Sequence, residues 1–442
     1  MHIQLSDRFN YSKLLRFAFP SIIMMVFTSL YSIVDGFFVS NFVGKTQFTA
    51  VNFIMPVIMI LASVGFMFGA GGSALVSKTM GEGNHDKAKR LFSLFVYCTA
   101  ISGVVIAAII FAVIRPIAAL LGAEGMLLDN CVIYGRILLV SLPFFMLQFE
   151  FQSFFITAEK PQLGLIITLV CGITNMVLDA LFIAVFSWGL VGAAVATAIS
   201  QVLGGIIPVI YFSQSNSSLL RLTKTEFDGN ALVKACTNGS SELMSNISTS
   251  IVSMLYNVQL MKYAGENGIA AYGVLMYVNM IFLGVFIGYS TGTAPIISYH
   301  YGAKNHSELK GLLKKSLAII GIFAVTMFAI AELLANPLAA IFVSYDTELM
   351  AMTIKAFRIY SFSFLFASIA IYGSSFFTAL NDGLTSALIS FLRTMLFQVA
   401  AVLILPVFFE IDGIWFSVVV AELASALMTA LFIILKKKTY HY

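Results

Sequence analysis

The chain has 442 residues, 60% of them hydrophobic and 10% charged, with a mean hydropathy of +0.95. Soluble domains carry about 25% charged residues, so the composition excludes a soluble globular protein and fixes an all-α polytopic membrane protein. The net charge of +4 says little as a sum; where the charges fall along the chain carries the information.

A helix needs about 20 residues to cross a bilayer. Apolar runs of that length recur between charged loops and predict twelve spans, over residues 14–40, 50–77, 91–114, 132–157, 163–187, 190–212, 235–263, 269–298, 312–343, 356–380, 384–408 and 413–435. The start of the chain has no short apolar region followed by a cleavage site, so no removed signal peptide is expected.

The first span carries a carboxylate, Asp35, within Thr28-Ser-Leu-Tyr-Ser-Ile-Val-Asp-Gly-Phe-Phe-Val-Ser40. A charge at the bilayer centre costs roughly 2.5–3.5 kcal/mol on insertion scales and normally faces a cavity or a partner, often on an ion or proton path. Asp35 lies nineteen residues past Arg16, about 28 Å along the helix, in its outer part. The loop after the second span reads Met80-Gly-Glu-Gly-Asn-His-Asp-Lys-Ala-Lys89, and 221 residues later the chain reads Tyr301-Gly-Ala-Lys-Asn-His-Ser-Glu-Leu-Lys310. Gly81/Gly302, Asn84/Asn305, His85/His306 and Lys89/Lys310 match, and Thr28/Thr249, Ser29/Ser250, Gly71/Gly292 and Ser77/Ser298 match at the same offset. The chain therefore reads as two six-helix lobes, 1–212 and 235–442, joined by a polar linker, 213–234. Six spans return the chain to its starting side, so the lobes run the same way. A pseudo-two-fold axis along the membrane normal relates them, as in transporters that rock two bundles.

Tyr134 sits near the outer start of the fourth span, and Asn175 and Asp179, four residues apart, share one face of the fifth. Thr197 falls in the outer half of the sixth. With Asp35 these residues share one depth in one lobe, which predicts a polar chamber there. The structural alternative is a pair of hydrogen-bonded carboxylates that serve packing. Glu150, in the fourth span, sits at an inner depth. In the second lobe Tyr256 stands at the repeat position of Asp35, so the carboxylate is not duplicated. Glu242 lies eight residues past Lys234, roughly 12 Å from the inner surface. It reads as a substrate or second coupling site together with Glu150, or structurally as a partner of Ser241 or the backbone. Glu332 and Glu422, toward the ends of the ninth and twelfth spans, read as structural.

The four cysteines, Cys98, Cys131, Cys171 and Cys236, have no metal-binding spacing and read as packing residues. The five histidines (His2, His85, His300, His306, His441) fall in termini or at loop edges. No intramembrane metal site and no catalytic constellation can be built from them, and no cofactor or nucleic-acid partner is expected. Prolines inside spans, among them Pro56, Pro143, Pro295 and Pro406, predict kinks. Of the 25 Lys and Arg, six (Lys45, Arg115, Arg136, Lys262, Lys355, Arg358) fall in the segments on one side, Arg393 lies inside a span, and the rest lie on the side of the termini. The positive-inside rule then puts both termini in the cytoplasm.

These residues resemble the multidrug and toxic compound extrusion (MATE) family, closer to its DinF-like branch. The resemblance is carried by Tyr31-Ser-Ile-Val-Asp35 with Gly44 and Pro56, by Gly81, by Asn175-Met-Val-Leu-Asp179, and by Gly189-Leu-Val-Gly-Ala-Ala-Val-Ala-Thr197. It covers nearly the whole chain. It implies a V-shaped pair of lobes in the plasma membrane and export of cationic, aromatic compounds against inward H⁺ or Na⁺. In the DinF-like branch, residues matching Asp35, Tyr134, Asn175, Asp179 and Thr197 form the proton or cation site, so Na⁺ at Asp35/Asp179 is the one metal ion implied. NorM-like members carry carboxylates in helices seven and ten. Glu242 looks like the first, but residues 356–380 contain no Asp or Glu, a departure that argues against a NorM-like sodium site.

Three functions compete. A cation-coupled exporter fits carboxylates in an apolar cavity, where a change of protonation can bias a two-state lobe. A flippase for lipid-linked oligosaccharides, which are anionic, calls for basic groups in the cavity, and only Arg393 lies well inside a span, away from its ends. A membrane enzyme lacks any visible catalytic set. The expected protein is an exporter, not an enzyme, with small-molecule substrates and membrane lipids as its partners and a monomer as its default state.

Overall fold

In hydrocarbon every backbone N–H and C=O must find its partner within the protein, and a helix does this within one segment. The computed structural model, which describes residues 3–442 apart from the side chain of Lys45, is accordingly built of long helices; His2 lies outside the described residues. Among the described residues ten helices are long and apolar enough to cross a membrane. Two of them are double: Gly229–Gly302 breaks at Gly265 (φ 63°) and Gly383–Tyr440 at Glu410 (φ 52°). Counted as separate spans these make twelve.

In chain order they are α1 (Tyr11–Phe42), α2 (Lys45–Gly81), α3 (His85–Leu120), α4 (Gly125–Thr157), α5 (Pro161–Asp179, continued by π-helical turns over Ala180–Val185) and α6 (Gly189–Ser213). The second lobe follows with α7 (229–264), α8 (266–302), α9 (His306–Val343), α10 (Thr347–Tyr360 and Phe362–Ala379, parted at Ser361), α11 (383–409, with π-helical turns over Leu392–Leu396) and α12 (411–440). Most helices run several residues beyond the apolar spans, because polar residues cap their first turns. Asn10 accepts from Lys13 N at 2.8 Å, and Asp228 accepts from Ala231 N at 3.0 Å. The second cap starts α7 at Gly229, inside the stretch read as linker. The repeated loop motif acquires a physical reason here. Asn84 and Asn305 are the N-caps of α3 and α9, accepting from Lys87 N at 3.1 Å and Glu308 N at 3.2 Å. His85 and His306 are simply the first helical residues after them.

Residues 214–228 join the lobes and pack on α3: Leu220 is buried, and Thr223 N donates to Ser93 Oγ at 2.9 Å. One apolar core, including Phe17, Phe92, Phe154, Tyr289, Ile296 and Phe376, is common to both lobes at the end of the bundle that carries the termini. We call this the basic end. Toward the far end the core divides into one cluster within each lobe, around Ile54 and Leu138 in the first and around Val252 and Trp415 in the second. The lobes thus form a V closed at the basic end.

Glycines make the closure possible, because removing Cβ lets two helix backbones touch. A Cβ on Gly71 of α2 would fall 2.0 Å from the carbonyl oxygen of Ala235 of α7, and one on Gly239 of α7 would fall 1.9 Å from that of Met67. The pseudo-two-fold repeats the contact between α8 and α1, where a Cβ on Gly292 would fall 3.1 Å from Ala18 Cα; residues 292 and 239 are the 221-residue images of 71 and 18. Farther along the same seam Ser29 Oγ donates to the carbonyl of Met280 at 3.1 Å. The segment before α1 straps the closed end: Leu5 N donates to Glu159 Oε1 in the first lobe at 2.6 Å, and Phe9 N to Glu308 Oε1 in the second at 2.9 Å.

Candidate functional site: paired carboxylates in the first lobe

Asp179 ends the regular part of α5, immediately before the π-helical turns. Such a widened turn re-aims the side chains beside it and recurs at functional sites. Asp179 is fully buried, as are Asn175 one turn earlier and Tyr134 on α4. Asp35 on α1 and Thr197 on α6 are partly buried. Of the five residues named from the sequence, Asp35, Asp179 and Tyr134 come together, and Asn175, one turn from Asp179, pairs with Thr197. The carboxyl groups of Asp35 and Asp179 lie within hydrogen-bonding reach of each other, and the Tyr134 phenol faces both. Asn175 Nδ2 donates to Thr197 Oγ1 at 3.4 Å.

Asp35 Oδ1 and both oxygens of Asp179 are buried with no donor among the described residues. Buried polar atoms are nearly always paired, and exceptions call for an explanation. Two ionised carboxylates side by side repel. A proton or a small cation between them converts that repulsion into a bond, so the arrangement is chemically suited to take up and release one. Tyr31, one turn before Asp35 and packed on Gly172 of α5, also lies close to Asp35. Sequence reasoning did not single it out as a site residue, although its i−4 spacing from Asp35 puts both on one helix face.

Glu150 and Glu242 stand apart from this site, and among the described residues no hydrogen bond joins them. Glu150 is fully buried on α4 with both oxygens unpaired, and Thr99 of α3 lies close to it. Glu242, partly buried on α7, makes no carboxylate hydrogen bond among the described residues; its backbone carbonyl accepts from Asn246 Nδ2 at 2.9 Å. The pairing with Ser241 that would make it structural is not formed, and Ser241 Oγ is itself unpaired. Glu332 accepts from Ser361 Oγ at 2.5 Å, which ties α9 to the break in α10, and Glu422 is paired with Arg393. A groove of about 350 Å³ between α4 and α6, lined by residues such as Val140, Val195 and Val202, has no titratable group and lies outside the carboxylate site.

The sequence pattern of the family described as MatE matches this chain twice, over residues 20–181 and 243–404, one match in each lobe. Among curated proteins, the multidrug export protein MepA of Staphylococcus saprophyticus is 26% identical over 430 residues, covering 96% of this chain and 93% of its own length. MepA of Staphylococcus aureus (strain MSSA476) is 24% identical over 429 residues, covering 96% of this chain and 94% of its own. Among solved structures, a multidrug resistance MATE family transporter in an outward-facing conformation superposes with a TM-score of 0.93 at 22% identity, covering 98% of this chain and 97% of that one. A MATE structure in complex with MaL6 gives the same score at 21% identity, covering 98% of both chains. With twelve membrane-spanning helices in two lobes and a family match in each, the chain belongs to the MatE family, whose members are membrane transporters and not enzymes.

Proposed function

We propose that this protein is an antiporter that exports organic cations and other drugs by alternating access, driven by H⁺ or Na⁺ entering through the Asp35–Asp179 site. The observation that carries the reading is the pair of membrane-buried carboxylates with unpaired oxygens, found in one lobe of a V closed at one end. The relatives named as multidrug export proteins support the substrate class. In this reading the basic end is cytoplasmic, with residues 1–212 and 235–442 moving as two bodies about the linker, and the V opens outward. Uptake of a proton or Na⁺ by the carboxylates stabilises one lobe arrangement over the other; an ion shifts such an equilibrium only by its differential affinity for the two states. Asn175, Thr197 and Tyr134 orient the pair. Glu242, an unpaired acid at inner depth, meets a cationic substrate entering from the cytoplasm, and Glu150 backs the same half of the first lobe.

The flippase reading is disfavoured because Arg393, the basic residue well inside a span, is already neutralised by Glu422. The deciding experiment is transport of a fluorescent organic cation by purified protein in liposomes, with pH and Na⁺ gradients imposed separately. One of the two gradients is expected to drive transport. Failure of both, with scrambling of a lipid-linked sugar in the same vesicles, would overturn the proposal.

A further inference from the structure

The second lobe has a polar cluster of its own. Tyr256 of α7, the repeat image of Asp35, donates to Gln398 Oε1 of α11 at 2.8 Å and stacks on Tyr272 of α8 with ring centroids 5.4 Å apart. Tyr360 of α10 lies close to both Arg393 and Glu422, and Tyr256 and Tyr272 lie beside it. At the centre Arg393 Nε donates to both oxygens of Glu422, at 3.1 and 2.9 Å, with the side chains only 15% and 7% exposed. Five helices contribute. Each lobe also bends the same helix of its six with π-helical turns: α5 just after Asp179, and α11 over Leu392–Leu396 around Arg393. The lobes differ here: the first leaves three of its four carboxylate oxygens buried without donors among the described residues, and the second satisfies its carboxylate from within the chain.

We propose that Arg393 is a tethered counter-ion, a guanidinium held in the second lobe where a mobile cation would otherwise neutralise Glu422, and that it confines ion coupling to the first lobe. This rests on the reading of Asp35–Asp179 as the coupling site and assigns the selectivity of that coupling to a residue in the other lobe. Guanidinium is permanently charged and cannot leave, so the Glu422 carboxylate stays neutralised throughout the cycle. A second cation entering the cluster would meet the positive charge of Arg393. Arg393 acts here as a specificity-determining residue and touches neither substrate nor coupling ion.

The test is thermal unfolding of detergent-purified protein in NaCl against choline chloride at equal ionic strength. Arg393→Gln removes the internal cation and leaves Glu422 and its tyrosine surround, so this variant is expected to gain a saturable Na⁺-dependent rise of several degrees in Tm. Arg393→Lys and the double variant Arg393→Gln/Glu422→Gln are expected to show no such gain. An Arg393→Gln protein that responds to Na⁺ no more than the double variant overturns the proposal. If Arg393→Gln does not accumulate, Asp35→Asn/Asp179→Asn serves with the native pair intact. Saturable Na⁺ stabilisation surviving in that protein would put a mobile cation elsewhere and overturn the proposal, whereas its absence supports it. None of these readouts requires transport, so a failure of the antiport reading in liposomes is distinguishable from a failure of the counter-ion assignment.

Discussion

At the residue scale the most exacting test falls on the paired carboxylates. Asp35→Asn and Asp179→Asn keep size and most hydrogen bonding but remove the titratable charge. Each is expected to reduce gradient-driven export to the level of empty vesicles while leaving expression and Tm near wild type, since an amide relieves the repulsion of the pair. Normal export by both variants would remove this site from the mechanism. Glu242→Gln separates charge from shape at the other end of the path. Export of a cationic dye is expected to fall about tenfold, and that of a neutral substrate to change less than twofold; equal transport of the dye across pH would make Glu242 structural. Outside the membrane, Asp382 provides a pH test of stability. Burial alone would raise its carboxyl, but the Thr385 hydroxyl at 2.7 Å, the Tyr440 phenol, the Thr385 amide at 3.2 Å and Lys436 at 3.3 Å together hold it below the ordinary value. A lowered folded value means that the contribution to stability is complete above the ordinary carboxylate range, near 4, and is lost as pH falls toward the lowered value. The Tm of wild type is therefore expected to fall more steeply below pH 4 than that of Asp382→Asn, which retains the helix cap. Parallel curves would show that the ion pair contributes nothing.

At the scale of helices, the repeated Asn-His pair shows how far a motif can be read from sequence. The match of Asn84 with Asn305 announced a repeated turn, and the structure turns it into two helix caps. Losing such a cap costs about 1 kcal/mol. Asn84→Ala and Asn305→Ala are each expected to lower Tm by a few degrees with export retained, whereas a loss of export at full stability would argue for a role beyond capping. Single charges in apolar runs were legible because hydrocarbon penalises them strongly, and so Asp35 and Asp179 stood out. Tyr31 did not, because an aromatic residue in a span has many ordinary reasons to be there. The pairing of Arg393 with Glu422 was not legible either: Arg393 lies within the π-helical turns over Leu392–Leu396, where the regular helical periodicity no longer tells which way a side chain faces. The helix ends were underestimated where hydrophilic first turns extend beyond the apolar stretch, as at Gly229.

At the scale of the whole molecule, the twelve spans and the two-lobe plan were legible from hydropathy and from the 221-residue offset, since both follow from constraints that act on the chain as a line. Which end of the V is closed was not legible, because it depends on contacts between distant segments. The placement of the basic loops predicts that a cysteine introduced at Ser215 resists a membrane-impermeant thiol reagent added outside intact cells and reacts once the membrane is opened; ready labelling from outside would invert the topology. The glycine seam has a further consequence for genetics. The atom that a side chain at position 239 would strike is the carbonyl oxygen of Met67, which every amino acid at position 67 carries. No exchange at codon 67 can therefore make room for a bulky allele at 239. In a reversion screen begun from such an allele, restored function should return at codon 239 itself, while second-site suppressors should map away from the contact, in residues that let the two lobes close at a slightly greater separation.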